Sequence, residues 1–125
     1  MAKILVIDDD SVSRDIMRDL LEGAGHDVAE ASTSEEGIAT YKQGDFDLVV
    51  ADLYMPEKGG LDVIGKLVGA DPDARVITIS GIDLREKLDI FQLAKQLGAL
   101  HTLQKPIQPK PFLDAVSKAL CHPEN

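Results

Sequence analysis

Leu48-Val49-Val50-Ala51-Asp52-Leu53-Tyr54-Met55-Pro56-Glu57-Lys58-Gly59-Gly60-Leu61-Asp62 is the stretch that decides the fold of this chain. The apolar run Leu48 to Ala51, bounded on its far side by Pro56, Gly59 and Gly60, reads as a short strand buried on both faces. Asp52 stands where that strand gives way to a loop. In open α/β sheets, ligands and chemistry collect beyond the carboxyl ends of the strands. A carboxylate there is partly desolvated and needs a hydrogen-bonding partner or a cation.

Working outward, Ile4-Leu5-Val6-Ile7 is a second continuous apolar run and reads as a central parallel strand. It ends in Asp8-Asp9-Asp10, and helical spacing follows, with Val12, Ile16, Met17, Leu20 and Leu21 assigned to one apolar face and Gly23 and Gly25 as the stop. Val28 to Ala31 alternates and suits an edge strand. Ser32 and Thr33, with Glu35 and Glu36 three residues on, form a capping-box pattern opening a helix through Ile38 and Tyr41 to Gly44.

On the other side, a helix is expected over 61–68, weakened locally by Gly65. A turn follows at Asp71-Pro72-Asp73, and then a strand, Val76 to Ile79, running into Ser80-Gly81. A long helical stretch is expected over 83–97, ending at Gly98, then a fifth strand over 99–103 at the other sheet edge, closed by Lys105-Pro106. Pro109 begins a last helix whose apolar face is Phe112, Leu113, Val116 and Leu120. Five strands alternating with five helices make an α/β, doubly wound parallel sheet covered on both faces.

A chain of 125 residues, 44% apolar and 28% charged, suits one globular domain. Its formal net charge of −9 argues against direct binding of nucleic acid or an anionic membrane. The single cysteine, Cys121, permits no internal disulfide. No signal peptide or membrane-length apolar run is present, so the expected compartment is cytoplasmic.

Parallel strands deliver their C-terminal ends to one edge. That places Asp8 and Asp9, Asp52, Ser80 and Lys105 together if the first and third strands are neighbours. Converging carboxylates raise one another's pKa, and a hard cation such as Mg²⁺, which prefers oxygen ligands, relieves them. Ser80 offers a hydroxyl and Lys105 a mobile ammonium, groups suited to the oxygens of a phosphoryl group on Asp52. Singly, each has a plainer reading: Asp9 or Asp10 as a helix N-cap, Ser-Gly as a turn, Lys-Pro as surface.

Taken together, these residues resemble the receiver domain of two-component response regulators along essentially the whole chain. Asp52-Leu53-Tyr54-Met55-Pro56 with Gly60 is similar to that family's phosphoacceptor strand and loop. Asp8-Asp9, Ser80-Gly81, Gly98-Ala99 and Lys105-Pro106 match its other landmarks in order. The resemblance implies a flavodoxin-like five-stranded sheet in the order 2-1-3-4-5 and a single receiver domain over 1–125, core about 3–121, with no output domain. It implies that Asp52 accepts a phosphoryl group from a histidine kinase phosphohistidine. Asp9, Asp52 and the Tyr54 backbone carbonyl are then direct Mg²⁺ ligands, with Asp8 acting mainly through water. Ser80 and Lys105 contact the phosphoryl oxygens, and the Lys105–Pro106 bond is cis.

Partners implied are a sensor histidine kinase or histidine phosphotransfer protein, a downstream protein, and a second copy through the fourth-helix region. The chain is then a switch rather than an enzyme acting on other molecules. Two departures stand out. Thr102 occupies a position where the family usually carries Tyr or Phe, and the Ser80-to-Lys105 interval is about one helical turn longer than usual. The apolar enlarged stretch, with Ile82, Leu84, Leu88 and Phe91, is the expected route of output to a partner surface.

Four other readings compete. A haloacid-dehalogenase-type phosphatase wants a second Asp two residues after the nucleophile, where Tyr54 stands. A flavin-binding module wants a hydroxyl- and glycine-rich loop after the first strand, where three acids stand. A constitutive protein-binding module of the same fold, and a phosphorelay intermediate passing its phosphoryl group to a histidine phosphotransfer protein, are the other two.

Overall fold

The computed structural model describes residues 2–55, 60–81 and 88–121, leaving aside the side chains of Leu88 and Asp89. Five strands, β1 (Lys3–Ile7), β2 (Asp27–Ala31), β3 (Leu48–Asp52), β4 (Val76–Ser80) and β5 (Ala99–Gln104), alternate with five helices. These are α1 (Ser11–Gly23), α2 (Ser34–Gln43), α3 (Gly60–Ala70), α4 (Leu88–Leu97) and α5 (Pro109–Leu120). The strands form one parallel sheet in the order β2-β1-β3-β4-β5, the doubly wound arrangement expected. Among the described residues no helix is long and apolar enough to cross a membrane.

The apolar runs are buried because both sheet faces are covered. Leu5, Ile7, Val49, Ala51 and Val76 pack with Ile38, Val63, Ile64, Leu67 and Ala94 from α2, α3 and α4. Ile4, Val6, Leu48, Val50, Ile77 and Ile79 pack with Met17, Leu21, Phe112, Val116 and Ala119 from α1 and α5. Alternate residues along each strand therefore feed different layers, which is why the interiors of the central strands are apolar apart from Thr78. Beta1 pairs directly with β3, Ile7 opposite Ala51, so the residues that follow β1 and those that end β3 are neighbours.

Helix α1 departs from the expected face. Ser13, Met17 and Leu21 are its buried positions, whereas Val12 is 64% exposed and Ile16 43% exposed. A four-residue spacing starting at Ser13 sets the inward stripe, and Ser13 is tolerated there because its hydroxyl donates to Asp10 Oδ2 at 2.9 Å. Asp10 is the N-cap, its Oδ1 accepting the Val12 N–H at 3.0 Å. In α2 the capping role falls to Thr33, whose Oγ1 accepts the Glu36 N–H, while Glu36 Oε1 accepts the Ser32 N–H. Gly65 stays helical within α3, on an exposed face.

Gly60 opens α3 where the helix starts against β3. A Cβ there would lie 2.8 Å from the Asp52 carbonyl oxygen and 3.1 Å from Leu53 Cα, both backbone atoms that cannot rotate away. The Gly60 N–H donates to the Leu53 carbonyl at 3.1 Å, tying the same two segments. Gly60→Ala is therefore expected to lower stability by about 1–3 kcal/mol, the usual cost of forced overpacking. Urea unfolding measures it, and an unchanged midpoint would mean that the start of α3 yields freely. Gly98, at φ 126° between α4 and β5, holds a left-handed turn with Val68 packed above it.

The first part of the long helical stretch expected over 83–97, with Ile82 and Leu84 of the proposed output route, lies outside the described residues. From Leu88 the helix is present, with Ala94 buried, Phe91 and Leu97 half-buried and Leu93 exposed.

Candidate functional site

The carboxyl edge of the sheet gathers the polar residues that the core excludes. Asp8 follows β1, where its N–H donates to the Ala31 carbonyl at 3.1 Å and its Oδ1 accepts the Asp10 N–H at 2.9 Å. Asp52 ends β3 at only 4% exposure, with Oδ1 accepting the Tyr54 N–H at 3.0 Å. The Leu53 N–H donates to the Ile79 carbonyl at 2.8 Å, so the loop after Asp52 is held to β4.

Lys105 follows β5, and its N–H donates to the Ser80 carbonyl at 2.7 Å, which draws the ends of β4 and β5 together. Its side chain then turns over the sheet edge. Nζ lies 3.0 Å from Asp52 Oδ2 as a hydrogen bond and 3.0 Å from Asp8 Oδ2 as an ion pair. The Lys105–Pro106 bond is cis. Ser80, last residue of β4, is buried beside them.

One carboxylate oxygen from each of Asp8, Asp9 and Asp52 lies within 4.8 Å of the others. Asp9 is the exposed member and Asp8 and Asp52 the buried ones. Asp10, the third acid of the run, is spent on capping α1, and the Ser13 hydroxyl and Val12 amide hold its carboxyl below the usual range. Burial raises the Asp8 pKa, and the nearby charge of Asp52 adds to it, against the opposing pull of the Asp10 amide and Lys105. For Lys105, burial works against its charge, but bonding to Asp52 and Asp8 outweighs it and leaves the ammonium pKa raised.

Among the described residues, Asp8, Asp9 and Asp52 form an anionic, oxygen-rich cleft in which Lys105 pairs with Asp8 and Asp52. The buried Asp8 Oδ2 lies 3.0 Å from the Lys105 ammonium, and among the described residues no second donor reaches it, which leaves acceptor capacity to spare. A hard divalent cation fits that donor set, since it accepts carboxylate oxygens and offsets the local charge. Asp8, Asp9, Asp52, Ser80 and Lys105 are thus brought to one edge, as their spacing implied. Tyr54 is placed beside them through its N–H, with its ring packed against the α2–α4 layer.

Two residues that sequence reasoning passed over belong to the surroundings of the site. Arg14 on α1 donates from Nη1 to the Asp8 carbonyl at 2.6 Å, and Nε stands 3.6 Å from Glu30 Oε1 on β2. Thr78, fully buried on β4, has its hydroxyl 2.8 Å from that of Thr102, directly opposite on β5. Where an aromatic ring was absent from the sequence, a cross-strand hydroxyl pair occupies the position. Thr78 lies in a strand that is buried at every position, and a buried hydroxyl needs a partner.

Comparison with known proteins bears on the whole chain. Residues 4–117 match the family described as the response regulator receiver domain. The chain is similar to the chemotaxis protein CheY of Thermotoga maritima, at 32% identity over 117 residues covering 93% of this chain and 95% of that protein. Among solved structures, a response regulator receiver domain from Clostridium thermocellum superposes with a TM-score of 0.88 at 33% identity, covering 97% of this chain and 95% of that one. The response regulator TrrA of Thermotoga maritima, solved in complex with Mg²⁺-BeF, superposes with a TM-score of 0.83 at 27% identity, covering 95% and 99%.

Proposed function

The chain belongs to the response regulator receiver domain family, and on that premise we propose that it is a phosphorylation-driven signalling switch with Asp52 as phosphoacceptor. The observation that carries this reading is the position of Lys105 Nζ, 3.0 Å from both Asp8 Oδ2 and Asp52 Oδ2 at the mouth of an acidic cleft. An ammonium so placed neutralises a nucleophilic carboxylate at rest and is within reach of a phosphoryl group attached to it.

The donor is the phosphohistidine of a sensor histidine kinase or of a histidine phosphotransfer protein. An Asp52 carboxylate oxygen forms the new O–P bond as the N–P bond breaks, and the histidine nitrogen keeps the bonding pair. Asp8, Asp9, Asp52 and the Tyr54 backbone carbonyl would hold Mg²⁺, which supplies charge neutralisation for the phosphoryl oxygens. Asp52 Oδ1 is oriented by the Tyr54 N–H, so the carboxylate is presented rather than free to rotate. Ser80 donates to a phosphoryl oxygen, and Lys105 follows the charge outward from the carboxylate. A downstream protein reads the result, and the chain acts as a regulator rather than on a diffusible substrate.

Titration with Mg²⁺ tests the site. Amide signals around Asp8, Asp9, Asp52 and Tyr54 are expected to shift, and Asp9→Asn should weaken binding about tenfold or more, since affinity at hard-cation sites follows ligand charge. Asp9 is exposed, so the substitution leaves the core intact. Unchanged affinity in that variant would overturn the ligand assignment.

A further inference from the structure

We infer that Arg14 is a positioning residue for the cation cleft, acting through the peptide that joins Asp8 to Asp9. This rests on the Mg²⁺ site proposed above. The Asp8 carbonyl and the Asp9 N–H belong to one rigid plane, and Arg14 Nη1 grips that carbonyl at 2.6 Å. The Asp8 N–H is already fixed on the Ala31 carbonyl and its Oδ1 on the Asp10 N–H. The Arg14 bond is the contact that sets the tilt of the next peptide, and so the direction in which the exposed Asp9 leaves the backbone.

Arg14 is itself held. Glu30 on β2 receives Arg14 Nε at 3.6 Å on Oε1 and Arg18 Nη1 at 2.9 Å on Oε2. Glu30 lies opposite Val6 of β1 in the sheet register, so the guanidinium is anchored to the strand pair that carries Asp8. Arg14 also leads back into its own helix, whose first turn is closed by the Arg14 N–H on the Asp10 carbonyl at 3.0 Å. A loop between β1 and α1 is thereby clamped from both sides, in the manner of outer-sphere groups that orient metal ligands.

The test exploits a conflict of sign. Arg14 is a positive charge near a cation cleft, so removing it should tighten Mg²⁺ binding if charge alone matters. Positioning predicts the opposite. In Arg14→Met, which keeps an apolar stem, the Mg²⁺ dissociation constant measured by calorimetry is expected to rise about tenfold, the lower end for loss of an outer-sphere partner. Arg14→Lys, which restores one donor and the charge, should recover part of that loss. Arg14→Gln, neutral and more soluble, must weaken binding as well and decides the matter if the methionine variant does not fold.

Amide shifts of Asp9 and Asp10 without metal should move in the neutral variants, while the thermal midpoint in EDTA distinguishes general destabilisation. Unchanged or tighter Mg²⁺ binding in the neutral variants overturns the inference and leaves the site intact. Absence of Mg²⁺ binding by the unaltered protein overturns both this inference and the site on which it rests.

Discussion

Incubated with acetyl phosphate and Mg²⁺, the protein is expected to gain one phosphoryl group, and Asp52→Asn to gain none. Asp52 is buried to 4% exposure at the end of β3, with one oxygen on the Tyr54 N–H and the other on Lys105. Asparagine keeps the shape and the Tyr54 contact but offers no anionic oxygen to attack phosphorus. It also places an amide where Lys105 now finds a carboxylate. Loss of a nucleophile usually costs more than about 1000-fold in rate, beyond what the neighbouring groups recover. Intact-mass measurement gives the stoichiometry, and treatment with hydroxylamine identifies an acyl phosphate. Equal labelling of the variant, or hydroxylamine-stable phosphate on a serine or threonine, would overturn Asp52 as acceptor.

The second large effect is on stability. Lys105→Met is expected to destabilise the metal-free protein by about 3 kcal/mol, the lower end of the cost of breaking a buried pair by removing one partner. Lys105 is the ammonium lying between Asp8 and Asp52, both carboxylates out of water. Methionine fills the stem volume, so the loss is electrostatic rather than a cavity. The same variant should regain part of its stability in Mg²⁺, because a ligand that binds only the folded state stabilises by mass action. Urea unfolding in EDTA and in Mg²⁺ measures both terms. No loss in EDTA would mean that the carboxylates are satisfied without Lys105, and no recovery in Mg²⁺ would count against a cation in the cleft.

The five strands and five helices were legible because their signals are local. Continuous apolar runs such as Ile4 to Ile7 and Leu48 to Ala51 are what burial on two faces demands. The acids, Ser80 and Lys105 were legible as a group because a parallel sheet sends every strand end to one edge, whatever lies between. Less local matters were not. Whether Val12 or Ser13 faces the core depends on the angle at which α1 settles on the sheet, and a serine is admitted there because its hydroxyl donates a hydrogen bond to Asp10.

Which of the consecutive acids caps the helix depends on where the first helical turn closes. The sequence assigned Asp8 and Asp9 to the strand end but left the cap open between Asp9 and Asp10, which are chemically alike, and the structure gives it to Asp10. The grip of Arg14 on the Asp8 carbonyl and the pairing of Thr78 with Thr102 join residues six and twenty-four positions apart. Sequence spacing assigns such residues to elements but not to each other. Hydrophobic patterning thus determined the order of elements and the edge at which polar residues collect. Only tertiary packing decided which donor meets which acceptor there, because a hydrogen bond depends on distances of tenths of an ångström that no periodicity encodes.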